Sequence, residues 1–212
     1  AINIPRSDVI GNPVRADLIG LEFPEIRLTA RQNKNLNILV IGGSLGAASL
    51  NRNLPEAIAL LTKADRPKIK HQCGRQHVET CEKNYRDYSV EAEVLPFIDD
   101  MRAAYGWADL VICRSGALTI AELAAVGIAS ILIPYPYAAD NHQFHNACFL
   151  QSKNAAHIIN ESDLTRESMA SLLTHFRNNR DELITMSVNA RAQSIADATE
   201  NLAKGILTGA AL

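Results

Sequence analysis

The sequence lacks several features that would assign it to a protein class directly. Its longest apolar runs, such as residues 38–41 and 128–133, are far shorter than the roughly 20 residues that cross a bilayer. We therefore expect no membrane-spanning segment. Basic residues are not in excess, because the net charge is −2 and the isoelectric point is about 6.3. No nucleic-acid partner is expected, and any anion site must be local.

Paired cysteines and a secretion signal are also missing. No charged leader with an apolar stretch and a cleavage site is found near the first residue, so we expect a cytoplasmic protein or a piece cut from one. The cysteines form no CxxC pair, and we expect them to be reduced thiols; they are Cys73, Cys81, Cys113 and Cys148. With 47% hydrophobic and 21% charged residues among 212, the chain has one sizeable core. This composition excludes collagen-like, mucin-like and disordered classes.

Short β-branched runs alternate with longer helical patterns along most of the chain. The predicted strands are residues 37–41, 68–71, 92–95, 110–113, 130–133 and 156–159. The predicted helices are residues 47–61, which Pro55 interrupts, 77–88, 100–106, 118–126, 141–152 and 165–178. Repeated strand and helix units predict an α/β fold with a doubly wound, mostly parallel sheet of about six strands.

The two ends of the chain fall outside this repeat. Residues 1–31 contain three prolines and little periodicity, which predicts a linker or a segment on the domain surface. Residues 32–180 form the predicted α/β domain. Residues 181–212 follow a long helical pattern without a strand after it, so this helix is expected to pack on the domain edge or on a partner.

A glycine-rich turn, GGSLGA at residues 42–47, is the strongest local signal. It follows a buried strand and precedes a helix. Glycines permit a positive φ, and the first N–H groups of a helix are unpaired at its positive dipole end, so a phosphate fits there. The alternative is a tight turn that binds nothing.

Two narrower interpretations compete for the same turn. The GxSxG spacing fits the nucleophile elbow of α/β-hydrolases with Ser44 as nucleophile, but nothing upstream resembles the oxyanion loop of that class. The Rossmann fingerprint GxGxxG fails because Ser44 occupies its second glycine position and no acidic residue ends the second strand. A nicotinamide cofactor is therefore not expected.

A second strand-to-helix turn begins after residue 113. Gly116, Ala117 and Thr119 place small residues and a hydroxyl at a helix start, and Glu122 shares a helix face with Thr119. A carboxylate there can accept hydrogen bonds from the two hydroxyls of a ribose. The alternative is a capping box formed by Thr119 and Glu122. Two such turns, after the first and fourth strands, favour a nucleotide diphosphate at the switch point of the sheet.

A third polar segment, residues 134–147, follows the fifth strand. Its side chains suit sugar hydroxyls; they are Asp140, Asn141, His142, Gln143 and Asn146. The alternative is a helix that Asp140 caps and whose exposed face is solvated. A metal is not expected here, because no HExxH or carboxylate pair accompanies His142 and His145.

One other cluster has metal-ligand residue types, namely His71, Cys73, His77 and Cys81. Its spacing matches no zinc pattern. We therefore expect no metal there.

Five segments in order resemble the MurG family of bacterial glycosyltransferases. They are GNPVR at 11–15, GGSLGA at 42–47, FIDDM at 97–101, CRSGALT at 113–119 together with Glu122, and AADNHQFHNA at 138–147. That family transfers N-acetylglucosamine from UDP-GlcNAc to the undecaprenyl-pyrophosphoryl-muramoyl-pentapeptide of peptidoglycan synthesis, converting lipid I to lipid II. The resemblance covers only the C-terminal, donor-binding half of a two-domain GT-B enzyme.

The resemblance also implies roles for single residues in nucleotide binding. The implied nucleotide-site residues are Arg15, Gly43, Ser44, Phe97, Ile98, Ala117, Leu118, Thr119 and Glu122. The glycine-rich turn would face the diphosphate, with Thr119 and the neighbouring backbone on its other side. The Ile98 backbone would bind the uracil edge beside Phe97, and Glu122 would hold the ribose, with Arg15 nearby.

For the sugar, the resemblance implies Gln143 and His142 as contacts of the N-acetylglucosamine hydroxyls. Position 142 differs from the paired glutamines of some family members. The implied chemistry is an inverting displacement without an obligatory metal or cofactor. The catalytic base, the lipid I site and the membrane contact would lie in the other half, so we expect the isolated domain to be inactive.

The full-length protein is expected in the cytoplasm, peripheral at the inner membrane. Three alternatives remain at this point: a single-domain subunit of a two-chain UDP-GlcNAc transferase, an α/β-hydrolase that uses Ser44, and a non-catalytic nucleotide sensor.

Overall fold

A parallel sheet lies at the centre of the computed structural model, which describes residues 10–32, 34–43 and 47–209. Within these residues the strands are β1 (Asn37–Ile41), β2 (Lys68–Gln72), β3 (Glu93–Leu95), β4 (Leu110–Cys113), β5 (Ser130–Leu132) and β6 (Ala156–Ile158). Their order is β3-β2-β1-β4-β5-β6, and every neighbouring pair is parallel. The predicted doubly wound fold is therefore confirmed.

Helices cover both faces of this sheet. They are α1 (Ala16–Ile19), α2 (Pro24–Thr29), α3 (Ala48–Ala59), α4 (Val78–Asp87), α5 (Met101–Trp107), α6 (Ala117–Val126), α7 (His142–Gln151), α8 (Arg166–Asn178), α9 (Arg180–Arg191) and α10 (Ala198–Gly209). Side chains of α3, α4 and α8 share one core cluster, and those of α1, α5, α6 and α7 share another. In the part of the chain that the structure describes, no helix combines the length and the hydrophobicity needed to span a membrane.

Strand β1 shows why the strands are uninterrupted hydrophobic runs. Ile38 and Val40 belong to the first core cluster, whereas Leu39 between them belongs to the second. All three side chains are completely buried. A strand covered by helices on both faces needs apolar residues at every position rather than at alternate ones.

The prediction that Pro55 interrupts its helix is wrong. Helix α3 is continuous from Ala48 to Ala59 with Pro55 inside it. Proline has no N–H, so the carbonyl of Asn51, four residues earlier, loses its helical partner. The side chain of Asn84 replaces that partner, because its Nδ2 donates to the Asn51 oxygen at 3.0 Å.

The pattern from residue 181 onward forms two helices, α9 and α10, rather than one long helix. The chain turns between them to pack on Gly11. A Cβ on Gly11 would lie 3.0 Å from Ile195 Cβ and 3.1 Å from Ala198 Cβ, and Gly11 has a φ of +80°. Beyond this contact α10 exposes Leu202, Ile206 and Leu207.

The segment before β1 contains two short helices that pack on the α/β domain. Leu18 of α1 and Leu28 of α2 are buried, with α1 against α5 and α6, and α2 against α9. The guanidinium of Arg27 is also buried and donates to the Gly127 carbonyl at 2.7 Å. The division into residues 1–31, 32–180 and 181–212 stays a prediction.

Candidate functional site

The switch point of the sheet lies between β1 and β4. Ile41 and Cys113, the last residues of these two strands, are register partners. From there the chain continues into α3 on one face of the sheet and into α6 on the other. Loops that diverge in this way leave a crevice beyond the carboxyl ends of the strands, where ligands of such folds bind.

The first turn at this crevice follows β1. The N–H of Gly42 donates to the carbonyl of Gln72 at 3.0 Å. Gly43 is exposed and has a φ of +77°, although a Cβ there would meet no atom within 4 Å. Backbone conformation, rather than space, therefore requires glycine at this position. Ser44, Leu45 and Gly46 lie outside the described residues. The interpretations of Ser44 as a phosphate-binding residue or as a nucleophile therefore stay predictions.

The second turn leads into α6, which begins at Ala117. Its N-cap is Gly116, which has no side chain to cap the helix. The N–H groups of Ala117, Leu118 and Thr119 therefore have no partner within the helix and lie at its positive dipole end. Ala117 and Leu118 are exposed and Thr119 is half-buried. This arrangement can accept an anion.

The capping-box interpretation of Thr119 and Glu122 is wrong. The cap position belongs to Gly116, so Thr119 is the third residue of the helix. The carboxylate of Glu122 instead accepts a hydrogen bond from the hydroxyl of Tyr105 at 2.9 Å. Glu122 is half-buried on the first turns of α6, while Tyr105 is completely buried.

A hydrogen bond from the backbone fixes the connection after β3. The N–H of Ile98 donates to Oε1 of Gln72 at 3.1 Å. Ile98 is 8% exposed and Phe97 beside it is 45% exposed. Because Gln72 already accepts from this N–H, the carbonyl of Ile98 is the backbone group that can face a nucleobase edge.

Arg15 is the N-cap residue of α1 and is exposed. Its Nε lies 3.5 Å from Oδ1 of Asp17. Burial and then the charge of Glu122 raise the pKa of Tyr105 well above its usual value, while the positive charge of Arg15 acts in the opposite direction. Arg15 thus lies within electrostatic range of the pair formed by Tyr105 and Glu122.

Hydrogen bonds attach the third polar segment to the end of β4. Ser115 Oγ donates to the carbonyl of Gln143 at 2.7 Å, and Asn146 Nδ2 donates to the carbonyl of Ser115 at 3.0 Å. Oε1 of Gln143 accepts from the N–H of Tyr135 at 3.0 Å. This bond occupies Oε1 of Gln143, so Nε2 is the side-chain atom that can donate to a ligand.

The start of α7 contradicts the alternative interpretation in which Asp140 caps it. The N-cap residue is Asn141, without a side-chain cap, and both Asp140 and Asn141 have a positive φ. His142 Nδ1 lies 2.7 Å from the carbonyl of Ala139. A carbonyl only accepts, so Nδ1 carries a proton and Nε2 is the ring nitrogen left to face a ligand.

Three residues that organise the crevice are not among those predicted for the site. Gln72 links the first turn to the Ile98 connection, and Tyr105 holds Glu122. Arg114 forms an ion pair with Glu161 and donates to Ser49 Oγ at 3.1 Å. A polar residue at the end of a buried strand can indicate a site residue, and this pattern was present for Gln72 at β2 and Arg114 after β4. Tyr105 carried no signal, because a tyrosine in an apolar helix pattern is usually a core residue.

The cluster with metal-ligand residue types lies in the core beneath α4. His71, Cys73 and Cys81 are completely buried, and His71 Nδ1 lies 2.9 Å from the hydroxyl of Tyr85. Burial lowers the pKa of His71 to about 3 and raises that of Cys81 to about 12. No group of three or more His, Cys, Asp or Glu residues in residues 10–32, 34–43 and 47–209 could hold a metal ion.

This buried histidine predicts a pH dependence of stability. Below pH 6.5 the unfolded chain protonates His71, whereas the folded chain keeps it neutral down to about pH 3. The stability that neutral His71 provides is therefore present above pH 6.5 and is lost as the pH falls. From pH 7 to pH 5 we expect His71 to contribute a loss of about 2 kcal/mol in the free energy of unfolding.

Urea unfolding at the two pH values measures this contribution. The variant His71→Gln is expected to lose less stability between pH 7 and pH 5 than the parent. The control is His145→Gln, which removes an exposed histidine instead of a buried one and is expected to lose as much stability as the parent between the two pH values. The same pH dependence in His71→Gln and the parent would contradict the expectation.

Comparison with known proteins places the chain in a family. The family model described as glycosyltransferase family 28 C-terminal domain matches residues 37–202. A protein of Marinobacter nauticus is 46% identical over 200 residues, which is 94% of this chain and 55% of that protein. One of Coxiella burnetii is 46% identical over 192 residues, with 91% and 53% covered. Both are named UDP-N-acetylglucosamine--N-acetylmuramyl-(pentapeptide) pyrophosphoryl-undecaprenol N-acetylglucosamine transferase.

Among solved structures, Acinetobacter baumannii MurG is similar, with a TM-score of 0.82 and 40% sequence identity. That match covers 90% of this chain and 55% of the MurG chain. The chain thus spans about half the length of the curated relatives it matches.

The parallel sheet with its crevice defines a Rossmann-like α/β domain of the kind found in the C-terminal half of GT-B glycosyltransferases. The chain belongs to glycosyltransferase family 28 and contains its C-terminal domain.

Proposed function

We propose that this chain is the donor-binding domain of an N-acetylglucosaminyltransferase and that it binds UDP-GlcNAc. The anchored carboxylate of Glu122 carries the proposal. Glu122 follows Ala117, the first residue of α6, by five positions. This corresponds to a rise of about 7.5 Å along the helix axis from its uncapped N-terminus. A carboxylate near a positive helix end suits a ligand that joins a ribose diol to a diphosphate.

The remaining donor contacts are proposed for the same crevice. Gly43 and Thr119 face the diphosphate, and Ser44 is assigned to the same group. The carbonyl of Ile98 accepts from the uracil N–H with Phe97 beside the ring. Arg15 adds positive charge near the nucleotide. The amide nitrogen of Gln143 and Nε2 of His142 meet the sugar hydroxyls. The names of the relatives support N-acetylglucosamine as the sugar.

We propose further that the whole protein transfers this sugar to lipid I by direct displacement with inversion, as part of peptidoglycan synthesis. Negative charge then grows on the departing UDP. The N–H groups in the first turn of α6 and the Thr119 hydroxyl stabilise that charge. The catalytic base and the lipid I site are assigned to the part of the longer protein beyond this chain. The reaction is placed at the cytoplasmic face of the inner membrane, with the protein bound peripherally.

Calorimetric titration of the chain tests the donor assignment. UDP-GlcNAc, UDP, UDP-glucose and NAD are titrated in parallel without added metal. We expect both UDP and UDP-GlcNAc to bind, UDP-GlcNAc to bind more tightly than UDP-glucose, and NAD to produce no binding heat. Absence of binding by every uridine nucleotide, or preferential binding of NAD, would contradict the proposal.

A further inference from the structure

The contact between Tyr105 and Glu122 joins the core of the domain to the crevice. The tyrosine ring belongs to the buried cluster that includes Leu18, Leu39 and Leu123, and the whole residue has no exposed surface. Its hydroxyl donates to Oε2 of Glu122 at 2.9 Å. A completely buried ring has a fixed position, so its hydroxyl is a fixed donor.

The hydroxyl of Tyr105 is protonated, and so can donate, at neutral pH. Burial, followed by the charge of Glu122, raises the pKa of Tyr105 well above its usual value. The hydroxyl is therefore available at neutral pH as a donor to the Glu122 carboxylate, which it contacts in the structure. A carboxylate has about four acceptor sites, so one tyrosine donor leaves sites for two further hydroxyl groups.

A glutamate held in this way is prepared for a ligand in advance. A free glutamate side chain loses much rotamer freedom when a ligand fixes it, and this loss weakens binding. In the present arrangement, folding and not ligand binding fixes the side chain of Glu122. The strength of a ribose contact should then depend on the Tyr105 hydroxyl, which itself touches no ligand.

We propose that Tyr105 is a positioning residue, which sets the carboxylate of Glu122 for the two ribose hydroxyls and thereby gives the domain its preference for ribonucleotides. This inference rests on the proposed function, since it assumes that a uridine nucleotide binds with its ribose at Glu122. The inference assigns to Tyr105, a core residue, an indirect role in ribose binding that acts through Glu122.

The test compares UDP with dideoxy-UDP, which lacks both ribose hydroxyls, by calorimetry on the chain. We expect the parent to bind UDP at least about 30-fold more tightly than dideoxy-UDP, because two hydrogen bonds to a charged group are lost. In Tyr105→Phe we expect UDP affinity to fall about 5-fold to 10-fold, with dideoxy-UDP affinity changed less than about 2-fold. The ratio between the two ligands therefore decreases.

The matched control is Tyr85→Phe. Tyr85 is also a buried tyrosine with a hydrogen-bonded hydroxyl, but it belongs to the core cluster on the opposite face of the sheet, and its partner is His71. Removing that hydroxyl is expected to lower stability without changing the ratio of UDP to dideoxy-UDP affinity. This control separates an effect on Glu122 from the general effect of losing a buried hydroxyl.

A second measurement needs no variant. In the NMR spectrum of the parent protein, the buried Tyr105 hydroxyl proton is expected to exchange slowly and to shift on addition of UDP. Dideoxy-UDP should leave that resonance nearly unchanged, because it makes no hydrogen bond to Glu122.

Each contrary result has a distinct meaning. An unchanged affinity ratio in Tyr105→Phe, or an equal fall for both ligands, overturns the positioning role and leaves the proposed function intact. Equal affinity of the parent for UDP and dideoxy-UDP overturns the ribose contact itself, although uridine nucleotide binding stands. Absence of UDP binding to the parent overturns both the inference and the proposed function.

Discussion

Replacing Asp109 by alanine is expected to destabilise the fold by about 3–5 kcal/mol, since one partner of a buried ion network is removed. Asp109 is 1% exposed and lies directly before β4. Its Oδ1 is 3.1 Å from Nε of Arg31, and its Oδ2 accepts from Arg180 and from the N–H of Asn37, each at 3.0 Å. The carboxylate thus joins the end of the N-terminal segment, the start of β1 and the first turn of α9.

Removing this carboxylate leaves two arginines without their counter-charge. The side chains of Arg31 and Arg180 are 16% and 11% exposed, so water compensates little of the lost interaction. A loss of this size is a large part of the 5–15 kcal/mol that is typical for a domain.

Urea unfolding of Asp109→Ala beside Asp65→Ala measures the effect. Asp65 forms an ion pair with Arg177, but its side chain is 32% exposed, and a surface pair of that kind contributes about 0–1 kcal/mol. Losses that agree within about 0.5 kcal/mol in the two variants would contradict the assigned role of Asp109.

The sheet could be predicted from the sequence because its strands are buried on both faces. The strand predicted at residues 37–41 has the same bounds as β1, and the one predicted at 110–113 has the same bounds as β4. Such runs, separated by helical patterns, leave few alternatives to a parallel sheet. The position of both glycine-containing turns at the switch point then follows from the strand order.

What the sequence could not predict depends on partners distant along the chain. Pro55 suggests the end of a helix, and only the hydrogen bond from Asn84 to Asn51 shows why the helix continues. Glu122 three residues after Thr119 suggests a capping box, and only the approach of Tyr105 shows another role. In each case the local sequence pattern predicts a local hydrogen bond or a helix end, and a contact with a residue distant along the chain takes its place.

The site could be predicted only in part for the same reason. Turns that are glycine-rich and follow strands predict an anion-binding edge from local sequence alone. The residues that fix those turns, Gln72 and Arg114, act through contacts with residues distant along the chain, Ile98 and Ser49. The contribution of Ser44 stays a prediction, as do the roles of His142 and Gln143 in sugar binding.

Replacing Glu122 by alanine is expected to weaken UDP binding by about 100-fold, because two ribose hydroxyls lose a charged acceptor. Dideoxy-UDP has no hydroxyls to lose, so its affinity should change less than about 3-fold. Stability should also fall by about 1–3 kcal/mol, because the buried hydroxyl of Tyr105 is left without its acceptor. Calorimetry with both ligands and urea unfolding measure the two effects separately.

Glu91→Ala is the matched control for this prediction. Glu91 is exposed and precedes β3 at the amino edge of the sheet, opposite the crevice, so removing its carboxylate should leave UDP affinity unchanged. In a chain that already carries Glu122→Ala, adding Tyr105→Phe should cause no further loss of UDP affinity, since Tyr105 acts only through Glu122. UDP affinity that survives Glu122→Ala undiminished would show that the ribose binds elsewhere. A further loss in the double variant would instead show that Tyr105 supports the crevice by a route other than this carboxylate.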